Sequence, residues 1–235
     1  MKKIFHIVSN KEWGGGEQYV YDLCQRQRAD GIEVTVICKP IDGIRKKYEE
    51  AGITVHCMPL GGALDLKSAW RLATIIHKVD ASTIHAHNFK DAYTACYARK
   101  LSRNKHIQVV MCRHLTRPSK NSLLYRWLYG QLDRLIFDSQ ISTDVFLSTN
   151  PTIDTGKLGI VHTSIVVPEN MVPVDIRTEF NIPDACVIAM FHGRLDPEKG
   201  IDVLLDAAGK IKDKNFKLVL IGRGSDEYTE HLKRS

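Results

Sequence analysis

Short apolar runs recur along the chain, and the longer segments between them carry apolar residues at helical spacing. Strands are predicted at Lys3–Ser9, Glu33–Cys38, Ile53–Met58, Thr83–Ala86, Gln108–Cys112 and Arg134–Asp138. The first is followed by Gly14-Gly-Gly-Glu17 and a helix with Val20, Leu23 and Cys24 inward, stopping at Asp30-Gly31. The clearest helix is Leu66–Val79, with Leu66, Ala69, Trp70, Ala73 and Ile76 on one face. Strand-helix alternation of this regularity predicts an α/β fold with a doubly wound, Rossmann-like parallel sheet.

The pattern resumes after a change of texture at Pro151. Lys157–Ser164 reads as one more strand, and Val166–Asp175, with Pro168 and Pro173, reads as a linker. Beyond it, Val187–Phe191 is a continuous apolar run, expected to be a strand buried on both faces. Ile201, Leu204, Leu205, Ala208 and Ile211 follow at helical spacing, and Leu218–Ile221 is a second apolar run ending in Gly222-Arg-Gly224. This is a β-α-β unit. The expected organisation is a domain at 1–165, a linker at 166–175 and the opening part of a second Rossmann-like domain at 176–235.

Composition changes this picture little. Hydrophobic residues make up 43% and charged residues 26% of the 235, which excludes a disordered chain. No apolar stretch approaches the length of a bilayer span and no charged-then-apolar leader opens the chain, so cytoplasmic residence is expected. The six cysteines lie scattered in apolar segments without a C-x-x-C pair, and are read as buried free thiols. A net charge of +6 suits an anionic substrate or a peripheral membrane contact, and no nucleic-acid module is present.

Candidate chemistry gathers at the strand ends. The loop Gly193-Arg-Leu-Asp-Pro-Glu-Lys-Gly200 offers glycines for close approach and two cations, Arg194 and Lys199, that suit a diphosphate. The competing reading is a solvated turn in which they pair with Asp196 and Glu198. The Gly14–Gly16 turn enters a helix N-terminus, an anion site by geometry, although a tight turn explains it equally. His85 and His87 are two apart on a strand and share a face. A metal would need a third ligand, and no His or carboxylate stands at a local spacing that supplies one, so no metal is expected. Arg113 to Lys120 precede an aromatic helix at Leu123–Tyr129. Its Leu124, Trp127 and Leu128 either cover the sheet or face an anionic membrane.

Gly193-Arg-Leu-Asp-Pro-Glu-Lys-Gly200, followed by Ile201-Asp-Val-Leu-Leu-Asp-Ala-Ala208, resembles the donor-domain signature of retaining glycosyltransferases of family four. The resemblance implies a GT-B fold and sugar transfer, with retention, from a nucleotide-diphosphate sugar to a glycan or lipid-linked cell-envelope acceptor. It implies catalytic roles for His87, Arg194 and Lys199, with His85 second to His87. It adds substrate contacts at Gly14, Gly15, Glu17, His114, Ser139 and Gly193. Neither a metal, nor a cofactor, nor a protein nucleophile is implied, since the leaving phosphate guides the acceptor hydroxyl. Thr163-Ser164-Ile165-Val166 departs from the family's Asn-Gly-Ile-Asp at that strand end. The family's pattern continues beyond Ser235, so the chain is expected to be a fragment that self-associates or has a loosely held segment after Val174, and that has no transferase activity alone. A GT-B nucleotide-sugar epimerase and a non-catalytic binding protein are the alternatives.

Overall fold

The computed structural model describes residues 2–104, 106–164 and 172–234, and these divide into two compact units at about residue 167. The first unit carries β1 (Lys3–Val8), α1 (Gly15–Ala29), β2 (Glu33–Cys38), α2 (Asp42–Glu50) and β3 (Thr54–Cys57). It continues with α3 (Leu66–Val79), β4 (Thr83–Ala86), α4 (Phe89–Ser102), β5 (Gln108–Arg113), α5 (Leu123–Gln131), β6 (Arg134–Phe137), α6 (Gln140–Leu147) and β7 (Leu158–Ile160). All seven strands pair in parallel, in the order β3-β2-β1-β4-β5-β6-β7. The α/β doubly wound sheet expected from the sequence is present.

Alternation along each strand divides the sheet into two faces. Phe5 and Ile7, Ile84 and Ala86, and Val109 and Met111 enter a large core with Leu72, Ile76, Tyr93 and Cys96 of α3 and α4. Val8, Val34, Val36 and Cys38 enter a smaller one with Val20 and Cys24 of α1 and Ile44 and Tyr48 of α2. On α3 the buried stripe is Ser68, Ala69, Leu72, Ala73 and Ile76. Leu66 and Trp70, expected inward, face solvent, Trp70 being 64% exposed. Asp65 caps this helix by accepting from the Ser68 amide at 2.9 Å, which turns Ser68 and Leu72 inward and rotates the expected stripe. On α5, Leu128 and Tyr129 are buried and Leu124 is exposed, because the Tyr129 hydroxyl reaches the Lys120 carbonyl at 3.2 Å.

The second unit carries α7 (Ile176–Glu179), β8 (Val187–His192), α8 (Ile201–Gly209), β9 (Phe216–Ile221) and α9 (Asp226–Arg234), with β8 and β9 parallel. Residues 166–171 of the expected linker, and Ile165 and Val166 of the turn that departs from the family pattern, lie outside the described residues. Val187 and Met190, expected buried, are exposed, and Ile211 lies beyond the end of α8 in solvent. Apolar residues on both faces of a strand are covered only where a helix lies on each face. All six cysteines are free, five of them buried and Cys57 half-buried. Among the described residues no helix is long and apolar enough to cross a membrane.

Backbone contact fixes two glycines of the second unit. A Cβ at Gly222 would lie 1.8 Å from the Gly193 carbonyl oxygen, and one at Gly224 would lie 2.2 Å from that of Leu195. Gly222→Ala is expected to destabilise this unit by ~1–3 kcal/mol. Gly209→Ala, where a Cβ meets open space, is expected to be neutral or slightly stabilising. Urea unfolding compares them, and an unchanged midpoint for Gly222→Ala counts against the packing argument.

A second expectation concerns Asp91 in the first turn of α4. Burial lifts its carboxyl to about 7, against hydrogen bonds from the Ser9 amide and Asn88 and the charge of Lys39. The folded state then holds a proton that the unfolded chain releases near 4, so this group's contribution to stability falls as pH rises from about 4 to about 7. Asp91→Asn removes that slope. The stability of Asp91→Asn minus that of the native chain should therefore rise across this window, and a flat difference would show that the carboxylate titrates normally.

Candidate functional site

The strands of the first unit end in a polar cluster. Because β1 pairs with β4 so that His6 stands opposite His85, and β4 pairs with β5 one strand on, the even-faced side chains there are imidazoles and a thiol. His6 and His85 have ring centroids 5.1 Å apart, and His85 and His87 4.3 Å apart. The His87 ring stacks on that of His114 at 6.0 Å, and Tyr19 of α1 meets His114 edge-on at 4.9 Å. His85 Nε2 lies 3.0 Å from Cys112 Sγ. The companions that local spacing could not supply to His85 and His87 thus come from neighbouring strands.

A hydrogen-bonded chain sets the state of His87. Gln27 Oε1 lies 2.8 Å from His6 Nε2, and His6 Nδ1 lies 3.0 Å from His87 Nε2. With the Gln27 oxygen accepting, a neutral His6 carries its proton on Nε2 and accepts at Nδ1 from His87 Nε2–H. The lone pair of His87 is then left on Nδ1, a buried atom without a hydrogen-bond partner. Burial keeps these rings neutral. It lowers His6 to about 4 against the Gln27 hydrogen bond, and takes His85 and His87 well below the usual imidazole range, with the neighbouring imidazoles adding to the effect. His114 is also lowered by burial, opposed by the charges of Asp138 and Glu17, and its Nε2 is likewise buried without a partner.

Beside this cluster a shallow recess is lined by Tyr19, Cys112, Arg113, His114, Phe137, Asp138 and Thr163. Arg113 points away from the histidines, its guanidinium donating to the Leu115 carbonyl at 3.1 Å and lying over Phe89 and Phe146. Ser139 caps α6 by accepting from the Ser142 amide at 3.2 Å. Glu17, only 5% exposed, folds back on its own helix terminus, with Oε2 accepting from the Gly14 amide at 3.0 Å and Oε1 from Asn10. Both residues therefore have a structural task in the protein itself. Gly15 and Gly16 open α1, and a Cβ on either would meet nothing. Their backbone is accessible to an anion.

In the second unit, Gly193 has φ +158° and follows β8, Asp196 caps a short turn at Pro197–Lys199, and Gly200 leads into α8 with φ +69°. Arg194 Nε pairs with Asp196 at 3.2 Å, in the solvent-facing geometry of the simple turn reading. Lys199 is exposed and makes no ion pair among the described residues. Of the residues named from sequence, His87 and His114 come together, as do Gly14, Gly15 and Glu17 at the α1 terminus. Gly193, Arg194 and Lys199 form a separate loop.

Sequence reasoning passed over His6, Gln27, Cys112 and Tyr19. A polar residue inside the apolar run Phe5–Val8 was one available signal, and the repeat of His85-x-His87 as Cys112-x-His114 was another.

The sequence model described as Glycosyltransferase Family 4 matches residues 13–166, and that described as Glycosyl transferases group 1 matches residues 175–234. A glycogen synthase of Clostridium beijerinckii is 30% identical over 91 residues, which cover 39% of this chain and 17% of that protein. Among solved structures, a glycosyltransferase of Rickettsia africae superposes with a TM-score of 0.80 at 17% identity, over 99% of this chain and 64% of that one. Anabaena HepE, solved with UDP and glucose, does so with a TM-score of 0.78 at 16% identity, over 100% of this chain and 65% of its own. The chain thus spans about 64–65% of the length of these structures. With its doubly wound first unit and the β-α-β of its second, the chain belongs to glycosyltransferase family 4 and has the GT-B type of fold.

Proposed function

We propose that the protein transfers a sugar, with retention, from a nucleotide-diphosphate sugar to an acceptor hydroxyl on a glycan or lipid-linked envelope precursor. Family membership supports sugar transfer, and HepE has been solved with UDP-glucose, which supports a nucleotide sugar as donor. The observation that carries the reading in this chain is the lone pair of His87 Nδ1, held neutral and without a partner. A neutral acceptor of this kind suits a sugar hydroxyl, which donates to it without the cost of displacing an ion. His85 supports it by packing. Gly15 and Gly16 present backbone amides to an anion, with Gly14 and Glu17 holding the turn in shape. His114 and Ser139 stand nearby as polar wall.

In the second unit, Gly193 allows close approach, while Lys199 and the terminal N–H groups of Arg194 offer charge to the departing diphosphate. That electrostatic role stands in for a metal, and neither cofactor nor protein nucleophile enters the scheme. The domain limits are proposed at 1–165 and 176–235. Free, mostly buried thiols support residence in a reducing cytoplasm. Exposed Leu115, Leu123 and Leu124 beside Arg117, Lys120 and Arg126 favour a peripheral contact with an anionic membrane face.

Two expectations follow for turnover. Arg194→Ala and Lys199→Ala should each lower turnover by ~100-fold or more with little change in thermal stability, because both side chains are exposed. Steady-state rates across a panel of nucleotide sugars test this, and unchanged turnover in both variants removes the proposed role. His87→Ala should lower turnover and leave affinity for free UDP nearly intact. Calorimetry with UDP alone separates the cases, since a parallel loss of nucleotide binding would assign His87 to the nucleotide instead of the sugar.

A further inference from the structure

We infer that His87, Cys112 and His114 form a binding site for a single borderline-soft divalent ion of the zinc type. One ligand atom from each of these residues, a nitrogen of each histidine and the thiol sulfur, lies within 4.8 Å of the other two. Tetrahedral zinc with nitrogen and sulfur ligands holds them about 3.3–3.7 Å apart, so side-chain shifts of under ~1 Å close the site.

Three features distinguish this trio from a chance cluster. His87 Nδ1 and His114 Nε2 are both buried and without partners, which is the condition of a ligand nitrogen awaiting an ion. The far nitrogen of His87 is already tied through His6 to Gln27, the outer hydrogen bonding that orients a metal-bound imidazole. Cys112 and His114 line a shallow recess, with Tyr19 and Asp138 on its wall. The other trio of the cluster, His6, His85 and His87, shares His87 but has no free nitrogen on His6, both of whose nitrogens are engaged.

The charges nearby favour a cation. Asp138 and Glu17 both act on His114, while the guanidinium of Arg113 is turned to the opposite face of the sheet. Two imidazoles and a thiolate select zinc, or cobalt as its spectroscopic substitute, over magnesium or calcium. On binding, the Cys112 thiol releases its proton to solvent and its sulfur lone pair forms the coordinate bond. If His87 contacts the sugar as proposed above, ion and sugar exclude each other. That consequence rests on the transferase reading, and the binding itself does not.

The test uses the untagged 235-residue chain, reduced with a phosphine, titrated with Co2+ and then with Zn2+. A near-ultraviolet thiolate-to-cobalt band with intense visible absorption, saturating at one ion per chain and displaced by Zn2+, is expected. Cys112→Ser should abolish the thiolate band and Cys57→Ser should keep it, which separates this site from the half-buried thiol beside Cys38 on the next strand. His114→Gln, a change at the half-buried rim of the recess, should weaken Zn2+ binding at least ~10-fold by competition with a chelating dye. It decides the matter even if Cys112→Ser does not fold by circular dichroism. Absence of a thiolate band in the native chain, its survival in Cys112→Ser, or unchanged Zn2+ affinity in His114→Gln would overturn the site.

Discussion

The pairing of β1 with β4 is the constraint on which the first unit depends. Strands adjacent in sequence run outward from β1 through β2 to β3, and the chain then crosses back so that β4 lies on its other side. The sheet therefore changes direction between β1 and β4, where the connecting loops leave in opposite directions and open a crevice at the strand ends. The register at this junction sets His6 against His85 and His87 one step beyond. A slip of β4 by one residue would turn His85 and His87 into the large apolar core and bring Ile84 and Ala86 out. Phe5, Ile7, Ile84 and Ala86 thus hold the histidines in place by being buried on the other side.

In the second unit the same office falls to backbone packing. The Gly193 amide donates to the Ile221 carbonyl, the Leu195 amide to that of Arg223, and Gly222 and Gly224 let the two chains touch. The loop carrying Arg194 and Lys199 is anchored at its first residues by main-chain bonds, and the cap of Asp196 and the left-handed Gly200 shape the rest. The two cations are free to differ in task because neither supports the turn. Arg194 has a carboxylate beside it and Lys199 has none among the described residues.

Most of the fold was legible because strand runs and helix stripes are local signals. Glu33–Cys38, Thr83–Ala86 and Leu66–Val79 coincide with the observed elements. The failures are physical as well. Trp70 has the right spacing for burial, but the Asp65 cap sets the rotation of α3 and turns it to solvent. Val187 and Met190 are as apolar as the strands of the first sheet, yet apolarity does not say whether a helix is there to cover them. The candidate cluster was legible only in some of its members and not in its assembly. His85 and His87 announced themselves by alternation, while His6 and Cys112 join them only through strand pairing across long stretches of chain. Glu17 and Ser139 show the converse, since each is a polar residue at a strand-to-helix turn whose hydrogen bonds serve the helix terminus.

The unequal sizes of the two cores have a further consequence. On the α4 side of the sheet one helix buries eight residues, from Asp91 to Ser102. On the other side, α1 buries only Glu17, Val20 and Cys24 along its length, because the strand face beneath it is given over in part to imidazoles and a thiol. Local unfolding free energies follow apolar contact, so α1 is expected to open more readily than α3 and α4. Amide exchange is therefore expected to differ across the thickness of the sheet, with the helix that carries Gly15, Tyr19 and Gln27 exchanging faster than α4. Any ligand that bridges its N-terminus to the strand ends stabilises a helix that the hydrophobic core holds less firmly than α4.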